Sequence, residues 1–405
     1  MFKVSPNFTP IHSLVGGLMM ASSVHHLLSN LGQVLGISGF FHSTVQQLLS
    51  GPPGVDRPRT KGDITSLRTA RFFTCGLLFG GILLGVFKRS IENGLKVAIL
   101  DKNIPIAGDL GSSLLMGLLV GAGTKIGSGC TSGHFLCGIS RFSVRSLVAT
   151  ATFFSVAVIT HVNFSPPLLW SDWIHPKHLS PKSFVQPNWG VIGLFQLPVL
   201  FYGLAVRLMA AKKPSGASST STEVMKRHEF ASDMTAFTVG LHFALGLATS
   251  GMLRPSKVLG FLNLSPNGLR TGAWDPSLAM VAVGGIIPTS IGYFYQVLPR
   301  VNKLEQCKKE RVEAPLRARP TLYEASPEWR LPSRKDVDLK LVGGAALFGI
   351  GWGATGLCPG PALVSLTAGF PAILSGQGFE LDSLLSLSTF VGSMALGGIL
   401  ASMLP

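Results

Sequence analysis

Two cysteines stand out by what surrounds them. Cys130 ends the stretch "GAGTKIGSGC" and Cys358 ends "GIGWGATGLC". Both stretches read G-x-G, six residues, then Cys, and both are followed by helix breakers, "TSG" after Cys130 and "PGP" after Cys358. A thiol is a weak donor and a weak, polarizable acceptor. It suits a soft, sulfur-bearing species better than a hard, hydrated ion such as sulfate or Mg²⁺. A helix broken inside an apolar segment frees N–H groups at the start of the next half-helix, and those groups attract anions. Pro359 and Pro361 suit the first turn of one such half-helix. Thr131 or Ser132 suits the cap of the other. With no acidic residue beside them, the breaks point to a soft sulfur anion. Cys130, Cys358, His134, Gly129, Gly133 and Gly360 are the candidate binding residues, and Gly121, Gly123, Gly349 and Gly351 the candidate path-lining glycines.

The same residues admit other readings. Small residues allow close helix packing, with cysteine as a small hydrophobe. "CTSGHFLC" places Cys130, His134 and Cys137 in a C-x3-H-x2-C spacing that suggests a soft-metal site. That spacing is not a usual zinc pattern and a fourth ligand is not apparent, so no metal is expected. His134 can instead cap backbone carbonyls. Cys137 lacks a counterpart in "PALVSLTAG" and reads as packing. Arg141 and Arg145 read first as snorkelling anchors at a membrane edge and second as groups that attract anions to a pore mouth. His25, His26 and His242, in apolar runs, read as satisfied by neighbouring helices, and Asp275 as a turn or cap residue. No role is assigned to Cys75 or Cys307. The chain has no G-x-S-x-G, H-E-x-x-H, P-loop or dinucleotide fingerprint. It therefore reads as a non-enzyme that needs no cofactor.

The elements that must position these residues are membrane helices. The chain has 405 residues and only 13% charged residues, about half the usual share. Its mean hydropathy is +0.42. The net charge of +15 comes from basic residues in loops between apolar runs. These fit cytoplasmic anchors and contacts with anionic lipid, and no nucleic-acid motif accompanies them. Five scattered cysteines are not a disulfide framework. The N-terminus carries neither a cleavable signal nor a transit peptide, so the first apolar run reads as a retained membrane segment.

Runs at 11–28, 72–87, 110–123, 146–160, 191–206, 237–252, 278–295, 341–355 and 384–403 are candidates to cross or enter a bilayer. Shorter pieces at 34–49, 258–264 and 361–374 read as half-helices or re-entrant segments. Three anchors recur in order. "GGLMMASSVHHLLSNLGQVLG" matches "GLHFALGLATSGMLRPSKVLG", "GGIL" matches "GGII", and the two cysteine stretches match each other. Such repeats mark transporter folds whose site lies at the repeat interface. The expected fold is an all-α polytopic membrane protein of two pseudo-symmetric repeat halves, with re-entrant half-helices meeting at a central path. The halves fall at residues 1–211 and 233–405, with a flexible polar linker at 212–232 and a basic loop at about 300–340.

"GSGCTSGHFLCGISRFSVRSLVATATFF" resembles the signature of the YeeE/YedE sulfur-transport family, and "GISGF" at Gly36 fits its first helix. "GLATSGMLRPSKVLGFLNL", "WDPSLAMVAVGG" and "GLCPGPALVSL" resemble the half-length companion proteins of that family. The chain looks like a fusion of the two. The resemblance implies a pseudo-symmetric helical fold and uptake of thiosulfate handed inward by cysteines, with Cys130 and Cys358 at the matching motif positions. Some members carry a further cysteine in the first helix, and this chain has none between residues 11 and 28. The implied partners are a small sulfur-containing anion, membrane lipids and a cytoplasmic sulfur-accepting protein. A membrane thiol protein relaying persulfide sulfur without net transport remains an alternative, as does a soft-metal carrier. The expected location is the plasma membrane, with an organelle membrane left open.

Overall fold

The computed structural model describes residues 3–49, 61–106, 108–164, 185–206, 208, 221–322 and 328–403. It is helical, and among the described residues the one β pairing is an isolated bridge between Gln33 and Arg330. The helices before the linker are α1 (Pro10–Leu31), α2 (Ile37–Leu49), α3 (Lys61–Val86), α4 (Lys88–Leu95), α5 (Leu110–Ile126), α6 (Val144–Phe164) and α7 (Trp189–Phe195). After it come α8 (Ser221–Ser250), α9 (Pro255–Leu262), α10 (Pro266–Thr271), α11 (Ser277–Gly292), α12 (Leu298–Glu310), α13 (Leu339–Thr355), α14 (Pro359–Leu374) and α15 (Leu381–Ser402). Between α5 and α6 lies a π-helical segment, Thr131–Gly138.

Local chemistry sets where several of these helices begin and end. Asp109 and Asp338 start α5 and α13 by accepting the N–H groups of Ser112 and Leu341. Proline opens α1, α9 and α14, where its missing N–H costs nothing. Gly32 and Gly356 end α1 and α13 in the left-handed conformation, at φ +67° and +70°.

Among the described residues, six stretches are long and apolar enough to cross a membrane: Asp63–Val86, Val144–Asn163, Met225–Ser250, Ser277–Glu310, Leu339–Leu374 and Leu381–Ser402. A seventh is the broken pair Leu110–Ile126 and Thr131–Arg141, bent by 44°. Leu147 and Ile159 on α6, Val283, Ile287 and Ile291 on α11, and Leu385, Leu396 and Leu400 on α15 face outward. Among the described residues nothing covers those faces, and their apolar surface suits lipid. The chain is an integral, multi-pass membrane protein.

The long helices form two rows. In one, α3 packs on α8, α8 on α1, and α1 on α11. In the other, α15 packs on α5, α5 on α13, and α13 on α6. Each row draws two helices from before the linker and two from after it. Short segments fill the space between. α14 and α2 lie against α3 and α15 at one end, and the π-helical segment and α9 lie against α6 and α11 at the other.

Four sequence expectations are revised. The run at 11–28 forms α1 but is not among the six apolar spans. Its polar residues lower its hydropathy and are spent on protein contacts, such as Ser23 with His242 at 3.1 Å and Asn30 with the Tyr202 carbonyl at 2.9 Å. The run at 191–206 forms a shorter apolar helix, Trp189–Leu204, with a turn at Gln196 ahead of Pro198. Of the polar linker at 212–232, residues from Ser221 onward belong to α8, and 212–220 lie outside the described residues. The basic loop at 300–340 begins as helix α12, in which Cys307 is buried. It then returns across the end of α1, where Leu322 N–H donates to Asn30 and Arg330 N–H to Gly32.

One ion pair ties the α4–α5 connection to the start of α9. Asp101 accepts Arg254 Nε at 2.8 Å, Ser256 N–H at 3.0 Å and Ser256 Oγ at 2.9 Å. The carboxylate is almost fully enclosed, its side chain 6% exposed. Asp101→Ala strands the guanidinium beside Ser256 and is expected to cost about 3 kcal/mol. Thermal unfolding in detergent checks this, and Asp101→Ala with Arg254→Leu is expected to recover part of the loss.

Candidate functional site

The site forms where three helices begin. α5 ends in a tight turn at Gly127, Ser128 and Gly129, with Ser128 at φ +60° and Gly129 N–H donating to Thr124 at 2.9 Å. Cys130 is extended, and the π-helical segment starts after it. α13 ends at Gly356, Cys358 is extended, and α14 starts at Pro359. α2 starts at Ile37. Hydrogen bonds join the three starts. Thr131 Oγ1 donates to Cys358 Sγ at 3.4 Å, Ile37 N–H donates to Ser132 Oγ at 3.0 Å, and Ser132 Oγ lies 3.2 Å from Cys130 Sγ. Residues 227 positions apart are thereby brought side by side.

Cys130, Thr131, Ser132, Cys358, Gly360 and Pro361 line the deep end of a cavity of about 460 Å³. Its walls are apolar, including Phe153 and Phe154 of α6, Phe243 of α8, Phe261 of α9 and Trp352 of α13. Leu147 and Ala151 of α6 and Ala279 of α11 form an exposed rim. Among the described residues, no Lys, Arg, Asp, Glu or His lines the cavity. Its polar face is made of thiols, hydroxyls and helix starts. Pro359 and Pro361 have no N–H and Ala362 N–H donates to Cys358 at 2.9 Å, which leaves Gly360 N–H as the first-turn donor of α14. In the π-helical segment His134 N–H donates to Cys130, which leaves Thr131, Ser132 and Gly133 uncommitted within that segment.

The remaining predicted residues lie elsewhere. His134 stands behind the turn. Its Nε2 meets the Gly127 carbonyl at 2.9 Å and its Nδ1 meets Ser146 Oγ at 3.2 Å. Of its two sequence readings, the carbonyl contact is the one realised, and the ring is no part of the cavity lining. Gly129 leaves room for that ring, since a Cβ there would sit 2.9 Å from it. Gly133 faces Gly36. Gly121, Gly123, Gly349 and Gly351 are not in the lining either. Added Cβ atoms would meet α15 from Gly121, α13 from Gly123, α6 from Gly349 and α5 from Gly351. These glycines sit at helix crossings because the backbones there approach too closely for a side chain. Neither Thr131 nor Ser132 caps the π-helical segment, because both hydroxyls are spent on its neighbours.

Other residues resolve similarly. Cys137 Sγ donates to the Leu35 carbonyl at 3.2 Å. Cys130, His134 and Cys137 do not converge, and among the described residues no group of three metal-ligating side chains does. Arg145 is not a snorkelling anchor. It is 7% exposed and pairs with Asp338 at 3.3 Å. Arg141 Nε donates to the Cys137 carbonyl. His242 meets Tyr202 Oη at 2.6 Å, His25 meets Gln296 at 3.1 Å, and Asp275 accepts Ser277 N–H at 2.9 Å. Thr150 and Trp352 enter the lining without having been singled out from sequence. Trp352 stood inside the quoted repeat "GIGWGATGLC", so its place beside Cys358 was the available signal.

Among the described residues the lining supplies thiols and hydroxyls but no acid or base beside either thiol. It can hold a small guest at its sulfur and hydroxyl floor.

A family model described as "Family of unknown function (DUF6691)" matches residues 232–304 and 316–393. A "Probable transporter" of Xylella fastidiosa (strain Temecula1) is 34% identical over 165 residues, which cover 41% of this chain and 84% of that protein. The chain belongs to the family of this Xylella protein. A second "Probable transporter" of the same strain is 33% identical over 144 residues, covering 35% of this chain and 85% of its own length.

Proposed function

We propose that the protein carries a reduced-sulfur anion, thiosulfate or a close relative, across the membrane past Cys130 and Cys358. The observation that carries this reading is the meeting of the two cysteines at the floor of one cavity, each directly ahead of a helix start. A soft, terminal sulfur is the natural guest of two thiols. The anion's charge is met by the helix starts, each worth about half a positive charge. The membrane-spanning helices and the transporter names of the Xylella relatives support a transport role rather than an enzymatic one.

Two repeat halves, residues 1–211 and 233–405, account for the packing. Swapping α1 with α8, α3 with α11, α5 with α13 and α6 with α15 maps each row of helices onto itself. Each relative is about half as long as this chain, which supports a fusion of two half-length proteins like those beside the YeeE/YedE family. Anionic lipid and a cytoplasmic sulfur acceptor are the partners this reading adds.

Purified protein in proteoliposomes is expected to take up radiolabelled thiosulfate, with unlabelled thiosulfate competing and sulfate failing to compete. Absence of uptake in protein of native stability would overturn the reading. The apolar, cation-free lining favours a second one, a persulfide relay on the same thiols without transmembrane flux. Labelled sulfur covalently attached to Cys130 or Cys358, found by mass spectrometry in protein that shows no uptake, would establish it.

A further inference from the structure

We propose that Trp352 and Thr150 form an oxygen-binding subsite in the same cavity, opposite in character to its thiol floor. This rests on the sulfur-anion reading and adds which end of the guest faces which wall. Trp352 is 3% exposed and lines the cavity, and its indole Nε1 is buried with no hydrogen-bond acceptor among the described residues. Thr150 lines the cavity too, and its buried Oγ1 likewise has no partner among them. Buried donors are almost always paired, and an unmade bond costs free energy. An indole N–H can only donate. Its missing partner is therefore an acceptor, and the residue that carries it lines the cavity.

The indole is held in place. It stacks on Phe348 at 6.0 Å and 8°, and Phe153 meets it edge-on at 5.8 Å and 81°. Thr150 lies one turn before Phe153 on α6, the helix that packs along α13. The two orphan groups thus come from the paired helices that make one wall, while Cys130 and Cys358 come from the helix breaks that make the floor. A guest with a soft sulfur at one end and acceptor oxygens at the other satisfies both. Hydrosulfide offers no oxygen and leaves Trp352 Nε1 and Thr150 Oγ1 unpaired. The subsite selects a sulfur oxyanion with a terminal soft sulfur over a bare sulfide.

The test compares wild type, Trp352→Phe and Thr150→Val in proteoliposomes, reading thiosulfate uptake and its inhibition by hydrosulfide. Each variant keeps shape and removes one donor. The half-saturating thiosulfate concentration is expected to rise about tenfold in each, with the maximal rate and the inhibition by hydrosulfide unchanged. Unchanged half-saturation in both variants would overturn the subsite, as would an equal loss of hydrosulfide inhibition. Wild type that takes up no thiosulfate would remove the transport reading and the subsite with it. If Trp352→Phe fails to fold, Thr150→Val and the emission of Trp352 in a variant with no other tryptophan keep the question open to refutation. Thiosulfate is expected to shift that emission, and an unshifted spectrum at saturating thiosulfate counts against the subsite.

Discussion

Cys358→Ser is expected to lower thiosulfate uptake to below a tenth of the wild-type rate, and Cys130→Ser to do the same, with both proteins folded and unchanged in melting temperature. Serine differs from cysteine by one atom, so the cavity keeps its shape. The hydroxyl of Thr131 can still donate to an oxygen at position 358, as it donates to Cys358 Sγ at 3.4 Å. The loss thus reports the chemistry of sulfur and not a collapsed floor. A hydroxyl is a harder partner that bonds water well, and it gives up the polarizable contact a terminal sulfur needs. Cys137→Ser supplies the control. Its thiol donates to the Leu35 carbonyl and lies outside the lining, so its uptake is expected to match wild type. Wild-type uptake in both Cys130→Ser and Cys358→Ser would sink the cysteine-lined path. Equal loss in all three would point to packing instead.

The membrane class and the helix breaks at Cys130 and Cys358 were legible in the sequence, because hydropathy and the glycine–cysteine–breaker order are local properties. The meeting of the two cysteines followed only once the stretches were treated as repeats. The rest depended on contacts that no local pattern carries. His134 has the look of a ligand in "CTSGHFLC", yet it spends both ring nitrogens on Gly127 and Ser146, a choice set by how α6 folds back. Arg145 reads as an edge anchor because the acid it meets, Asp338, is far away in sequence. Thr150 and Trp352 look like ordinary residues of apolar helices. What marks them is the absence of a partner among the described residues, which only the packed structure displays.

The glycine pairs show the same limit and yield the sharpest stability prediction. A G-x-G in an apolar run fits a narrow passage and a close helix crossing equally well, since both need the missing side chain. The structure separates the two. A Cβ at Gly121 would lie 2.0 Å from the Met394 carbonyl oxygen on α15, and one at Gly349 would lie 2.6 Å from the Phe153 carbonyl oxygen on α6. Backbone cannot rotate aside as a flexible side chain does, so the helices must part along their length. Gly121→Ala is therefore expected to destabilise the protein by about 1–3 kcal/mol, and Gly349→Ala, with a slightly longer approach, by the lower part of that range. Gly343, on the exposed face of α13, has nothing within 4 Å of an added Cβ. Gly343→Ala is expected to be neutral or slightly stabilising, because alanine is the better helix former by about 1 kcal/mol. Melting curves in detergent read all three variants. A path-lining glycine would behave in the opposite way, leaving stability intact while slowing uptake. If Gly121→Ala melts with the wild type and transports poorly, the glycine belongs to the passage, and the helix-crossing assignment fails.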